Sequence, residues 1–116
     1  MIDKGGEMRL KYTVIILLLS MVNAAYAGTF VELSDFQLWS TTNGTDEIRV
    51  IPIGVSVINQ GCTDPDSYMV KATLPAAAIS RTYATLLAAK MASKSIKIYI
   101  SGCQDNRPAI LNVVIP

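Results

Sequence analysis

The spacing of apolar residues changes period once along this chain, and that change limits the folds open to it. From Thr29 to Leu74 the apolar residues come in short, β-prone runs, whereas Ile79, Tyr83, Leu86, Leu87 and Met91 fall at helical spacing. Ile96, Ile98 and Ile100 then alternate with polar residues again. The spacing predicts strands over 29–40 (with a bend at Ser34-Asp35), 47–58, 68–74, 96–103 and 109–115. It predicts one helix, with Ser80 as N-cap and Ala84, Ala88, Ala89 and Ala92 as strong helix formers. Asn43-Gly44-Thr45 reads as a hairpin turn, and Pro52, which has no N–H to donate, marks an edge or a bulge. The expected order is β-β-β-α-β-β, a mainly β (α+β) chain. One helix between the third and fourth of five strands is the arrangement of a five-stranded, OB-like barrel.

The N-terminal segment follows a different logic. Met8-Arg9-Leu10-Lys11-Tyr12 is cationic, Thr13 to Met21 is an apolar run, and Ala25-Tyr26-Ala27 places small residues at a peptidase site. The run is shorter than the ~20 residues a bilayer span needs. Residues 1–27 are therefore expected to be a signal peptide removed after Ala27, leaving a single domain over 28–116. Asp3 and Glu7 sit ahead of the cationic region and do not fit the pattern. Codons for Lys4-Gly5-Gly6-Glu7 can contain a ribosome-binding sequence, which gives the expectation that translation starts at Met8.

Charge and cysteine content narrow the chemistry. The chain has no His and two Cys. A Ser/His/Asp triad, a Cys/His pair, a His-ligated metal and a Cys-rich zinc site are all excluded. Seven bases face seven acids over residues 28–116. Bulk attraction to nucleic acid or to an anionic membrane is thus not expected. Residues 28–66 hold six acids and one base, and residues 67–104 hold five bases and no acid. The two halves are expected to interleave in space. In an exported chain with only two Cys, Cys62 and Cys103 are expected to form one disulfide bracing a small core.

Leu86-Leu87-Ala88-Ala89-Lys90-Met91-Ala92-Ser93-Lys94, running into Ile96-Lys97-Ile98-Tyr99-Ile100-Ser101-Gly102-Cys103, resembles a family of small uncharacterised exported proteins of Gram-negative bacteria. That family has a strand ending in Gly-Cys and an earlier Cys paired with it. By element order and size the fold is also similar to the B subunits of AB5 toxins of the subtilase-cytotoxin and pertussis-like group. That resemblance implies a glycan-binding module able to assemble as a pentameric ring. It assigns no site residue here.

Candidate binding residues follow from chemistry alone. Trp39, Tyr68 and Tyr99 offer flat apolar faces with a polar edge, suited to stacking on a sugar ring. Asp64, Asp66 and Asp105 lie two to four residues from the paired cysteines, so a bridge would gather them on one surface. There they would coordinate a hard cation such as calcium through oxygen, accept hydrogen bonds from sugar hydroxyls or, as a bare triplet, simply initiate turns. No catalytic residue, metal ligand or cofactor site is expected. The expectation is an exported, non-enzymatic binding module of the periplasm or exterior, with a glycan or an envelope protein as partner. A monomeric interaction or inhibitor protein is the alternative.

Overall fold

The computed structural model describes residues 27–42 and 46–116. Residues 1–26 of the proposed signal peptide and the Asn43-Gly44-Thr45 turn lie outside the described residues. The elements run β1 (Thr29–Leu33), β2 (Phe36–Thr41), β3 (Glu47–Pro52), β4 (Tyr68–Val70), α1 (Ala76–Met91), β5 (Ile96–Gln104) and β6 (Arg107–Val114). They build one six-stranded sheet in the order β1-β5-β6-β4-β3-β2, antiparallel except for the β4–β6 pair. The chain is mainly β with one helix and one disulfide, Cys62–Cys103.

A closed five-stranded barrel is not what forms. The sheet has six strands and is open, because Ser34-Asp35 divides the first expected strand into β1 and β2, which become its two edges. That division bends the whole sheet. Flat, six strands would set the edges about 24 Å apart, yet the link from Leu33 to Phe36 spans at most about 10 Å. The sheet must therefore curl until both edges meet at this corner. Three contacts fix the corner: Phe36 N–H donates to Asp35 Oδ1, Ile53 N–H donates to the Asp35 carbonyl, and Lys90 reaches across from α1. Lys90 Nζ donates to Asp35 Oδ1 at 3.2 Å and to the Phe36 carbonyl at 2.6 Å, and lies over the Phe36 ring.

The concave side holds the core. Val31, Leu33, Phe36, Val50, Tyr68, Val70, Ile96, Ile98, Ile100 and Ile110 pack there, with Leu86 and Ala89 supplied by α1. The helix starts at Ala76, four residues before the expected Ser80 cap, with Pro75 at the N-cap and no side chain capping it. Proline's fixed φ suits the start of a helix, and Ser80 lies exposed inside it. Its inner face is Ile79, Leu86 and Ala89, whereas Leu87 and Met91 stand exposed. Ser93 (φ 53°) closes the helix in a Schellman turn: Ser93 N–H donates to Lys90 O and Lys94 N–H to Ala89 O.

The second expected strand is shortened. β3 stops at Pro52, and Gly54, at φ 83°, turns the backbone out of extended geometry, so Ile53, Val55 and Ile58 protrude in a loop. The acidic and basic halves do interleave: Lys90 pairs with Asp35, and Glu32 stands opposite Lys97 in the β1–β5 register.

Candidate functional site

The β5–β6 hairpin turns on Asp105 and Asn106, both at positive φ (48° and 66°), as a two-residue type I′ reversal requires. The turn delivers Arg107 beside the loop that the disulfide anchors. Arg107 Nε donates to Asp66 Oδ1 at 2.7 Å, Nη2 donates to Asp66 Oδ2 and Asp64 Oδ2, and Nη1 donates to the Asp105 carbonyl. Asp64 N–H donates in turn to the Asn106 carbonyl, closing the loop onto the hairpin. Asp64, Asp66 and Asp105 thus meet around an arginine. Asp105 takes part through its backbone. Among the described residues no group of three His, Cys, Asp or Glu is placed to hold a metal ion.

The guanidinium hydrogen bond holds the Asp66 carboxyl below its ordinary pKa, and the same bond holds Arg107 more firmly protonated. Burial opposes both shifts without reversing them. Arg49 also lowers Asp66, and Glu47 also raises Arg107. The Glu47–Arg49 pair (3.3 Å) therefore belongs to the same electrostatic group.

Trp39 stands next to that group. It faces Arg49 across the β2–β3 ladder, is half exposed at 50%, and donates from Nε1 to Gln37 Oε1 at 3.4 Å. Its N–H edge meets the Gln37 amide, and Arg49 is its cross-strand neighbour. Tyr99 lies on a separate stretch of the outer surface, on β5, against Phe30 (centroids 5.0 Å apart), and Lys97 Nζ is held over the Phe30 ring. The Tyr99 hydroxyl also occupies the space above Gly28, where a Cβ would collide with it.

Tyr68 is different in kind and corrects an expectation. It is fully buried, its hydroxyl accepts the Ile58 N–H at 2.8 Å, and burial pushes its pKa up. A ring inside the core cannot stack on a surface ligand. The structure brings Asp64, Asp66 and the Asp105 backbone together, places Trp39 near them through Arg49, and sets Tyr99 apart.

Sequence reasoning did not single out Arg107, Arg49 or Gln37. The one available signal for Arg107 was its place directly after a two-residue turn, within reach of acids gathered by a bridge. It also did not foresee a cleft of about 510 Å³ between the end of the β2–β3 ladder and the first turns of α1. Ser40, Thr41, Asp46, Glu47, Ile79 and Ser80 are among its walls.

No family model, curated protein or solved structure matches this chain.

Proposed function

We propose that this chain is an exported, non-enzymatic binding module whose ligand is a glycan. The observation that carries this reading is Trp39, an indole left half exposed on a rigid sheet beside Gln37, Arg49 and Glu47. A flat apolar face with amide, guanidinium and carboxylate groups at its rim matches a sugar ring, which has an apolar face and a rim of hydroxyls. The Cys62–Cys103 bridge fits an oxidising compartment, either the periplasm or the cell exterior.

The open six-stranded sheet keeps an OB-like element order: counted as one bent strand, β1 and β2 reduce the six strands to five, and the helix then falls between the third and fourth. A homo-oligomeric ring would multiply weak single-site sugar affinity into avidity. Sedimentation of the oxidised protein tests it, a pentamer supporting the ring and a monomer removing it.

The chain has one Trp, so its fluorescence reports directly on Trp39. Titration with a panel of oligosaccharides is expected to shift the Trp39 emission, and Trp39→Ala is expected to weaken binding at least tenfold by calorimetry. A panel in which no oligosaccharide binds sinks the reading.

One observation favours a monomeric interaction or inhibitor protein instead. Ile53, Val55 and Ile58 project from a single loop at 43%, 59% and 47% exposure, an apolar tip suited to a protein partner. Val55→Asp would abolish capture of an envelope protein under that reading and leave sugar binding untouched under the first.

A further inference from the structure

β2 is one edge of the sheet, and its outer backbone is only partly covered. The Ile53 N–H bond to the Asp35 carbonyl sets the phase of the β2–β3 ladder, so Gln37–Ile51, Trp39–Arg49 and Thr41–Glu47 are its hydrogen-bonded pairs. Phe36, Leu38 and Ser40 therefore turn their amides outward, away from β3. Phe36 is consistent with this phase: its N–H goes to Asp35 Oδ1, its carbonyl accepts Lys90 Nζ, and its ladder partner Pro52 has no N–H to offer. Leu38 and Ser40 have no such cover. By alternation with Phe36 their side chains point to the concave side, yet Leu38 is only half-buried and Ser40 is exposed. Neither makes a backbone bond beyond the ladder among the described residues. Two donors and two acceptors at an open edge are ready to receive another strand.

The two ends of this edge carry opposite charge. Lys94 lines a hollow beside Asp35 and Phe36 at one end, and Asp46 lines the cleft beside Ser40 and Thr41 at the other. Among the described residues neither is in an ion pair. A complementary strand must be acidic opposite Lys94 and basic opposite Asp46. β2 of a second copy, laid antiparallel about a two-fold axis, meets both conditions at once. Two exposed apolar side chains suit the same axis. Trp39 sits midway along the edge at 50% exposure. Leu87, at 39%, lies between Ser80 and Lys90 on the side of α1 whose two ends meet β2, at the cleft and at Phe36.

We propose that two copies of this chain join edge to edge through β2. Leu38 exchanges both backbone bonds with the partner's Ser40, and Ser40 does the same with the partner's Leu38. Trp39 then faces the partner's Trp39 across the axis, as the close, non-bonded pair of an antiparallel ladder. Lys94 pairs with the partner's Asp46 at both ends. The interface is isologous and closes at two copies. It sets two indoles side by side, so a pair supplies the avidity otherwise asked of a ring. The inference is read by mass and stands whether or not a sugar binds.

Sedimentation equilibrium of the oxidised protein tests it, with a monomer–dimer equilibrium expected that tightens as salt is lowered. Ser40→Pro removes an N–H that the monomer's ladder does not use, so the variant is expected to fold and to sediment as a monomer. Lys94→Glu places like charges together at both ends and is expected to weaken the dimer about tenfold. Adding Asp46→Lys to the same chain restores opposite charges, and with them the dimer. That charge exchange decides the matter should Ser40→Pro fail to fold by circular dichroism. A monomer up to millimolar concentration, or a pentamer, overturns the inference. So does a dimer that survives Ser40→Pro, one indifferent to Lys94→Glu, or a Lys94→Glu loss that Asp46→Lys does not restore.

Discussion

Arg107 shows how one side chain decides what a cluster of acids can do. Its fork meets two oxygens of Asp66 and one of Asp64, so these carboxylates act as a brace for the Cys62–Cys103 loop. The carboxylates are more than half exposed (56% and 52%), so solvent screening reduces what charged hydrogen bonds would otherwise contribute. Arg107→Ala is expected to cost about 1 kcal/mol at neutral pH. Because Asp66 is held below its ordinary pKa, its contribution is complete above the unfolded value near 4 and fades as pH falls through the folded value. The gap between thermal melts of the two proteins should therefore narrow as pH falls through the folded value; a gap that stays undiminished in acid refutes the assignment. Tyr68 behaves in the opposite sense. Its phenol is held neutral by burial, so its stabilisation is present below about pH 10 and is lost as pH rises through the elevated folded value. Tyr68→Phe removes the acceptor for the Ile58 N–H, and water can reach Ile58, which is 47% exposed. The cost is expected near 1 kcal/mol, with weaker alkaline unfolding than the parent in pH-jump fluorescence. Sequence spacing identified Tyr68 as a strand residue on an alternating face but not its side of the sheet. That depends on a long-range contact with Ile58, ten residues away and outside any ladder.

At the scale of elements, local chemistry explains both the agreement and the departures. β5 follows its alternation, with Ile96, Ile98 and Ile100 all facing the core, and the Asp105-Asn106 turn returns the chain as β6, whose pairing with β5 carries two register shifts. β3 departs from it. Ile53, Val55 and Val57 alternate as a strand should, yet Pro52 gives no ladder donor and Gly54 takes a left-handed φ, so the backbone leaves the sheet first. The helix was visible in its period and misplaced in its face. Leu86 and Leu87 look equivalent on the page, and the packing of α1 against β2 and β6 selects Leu86. Urea denaturation should separate them: Leu86→Ala is expected to cost roughly 3 kcal/mol through its cavity. Leu87→Ala, at a 39% exposed position, is expected to cost less than about 0.5 kcal/mol. Equal costs would mean that α1 is rotated from the face described.

For the whole molecule, the decisive feature is that consecutive strands occupy opposite edges of one sheet. The bend at Ser34-Asp35 was legible from composition. Its consequence was not, because the sheet order depends on β5 and β6, which arrive more than 60 residues later. Such a fold is rich in long-range pairing, which is slow to close and costly in chain entropy. The disulfide counters the entropic disadvantage by tying residues 41 apart, joining the loop before β4 to the end of β5. In the chain-entropy description, a closed loop of that length stabilises by roughly 4 kcal/mol, a large share of the 5–15 kcal/mol typical of a small domain. The Cys62→Ser/Cys103→Ser double variant, and the reduced parent, should therefore lose roughly 4 kcal/mol in urea denaturation. The loss should fall on both equally, since each removes the same cross-link. A double variant as stable as the oxidised parent would show that the sheet keeps its curl without the cross-link, with the Lys90 contacts at the Ser34-Asp35 corner sufficient to hold the bend.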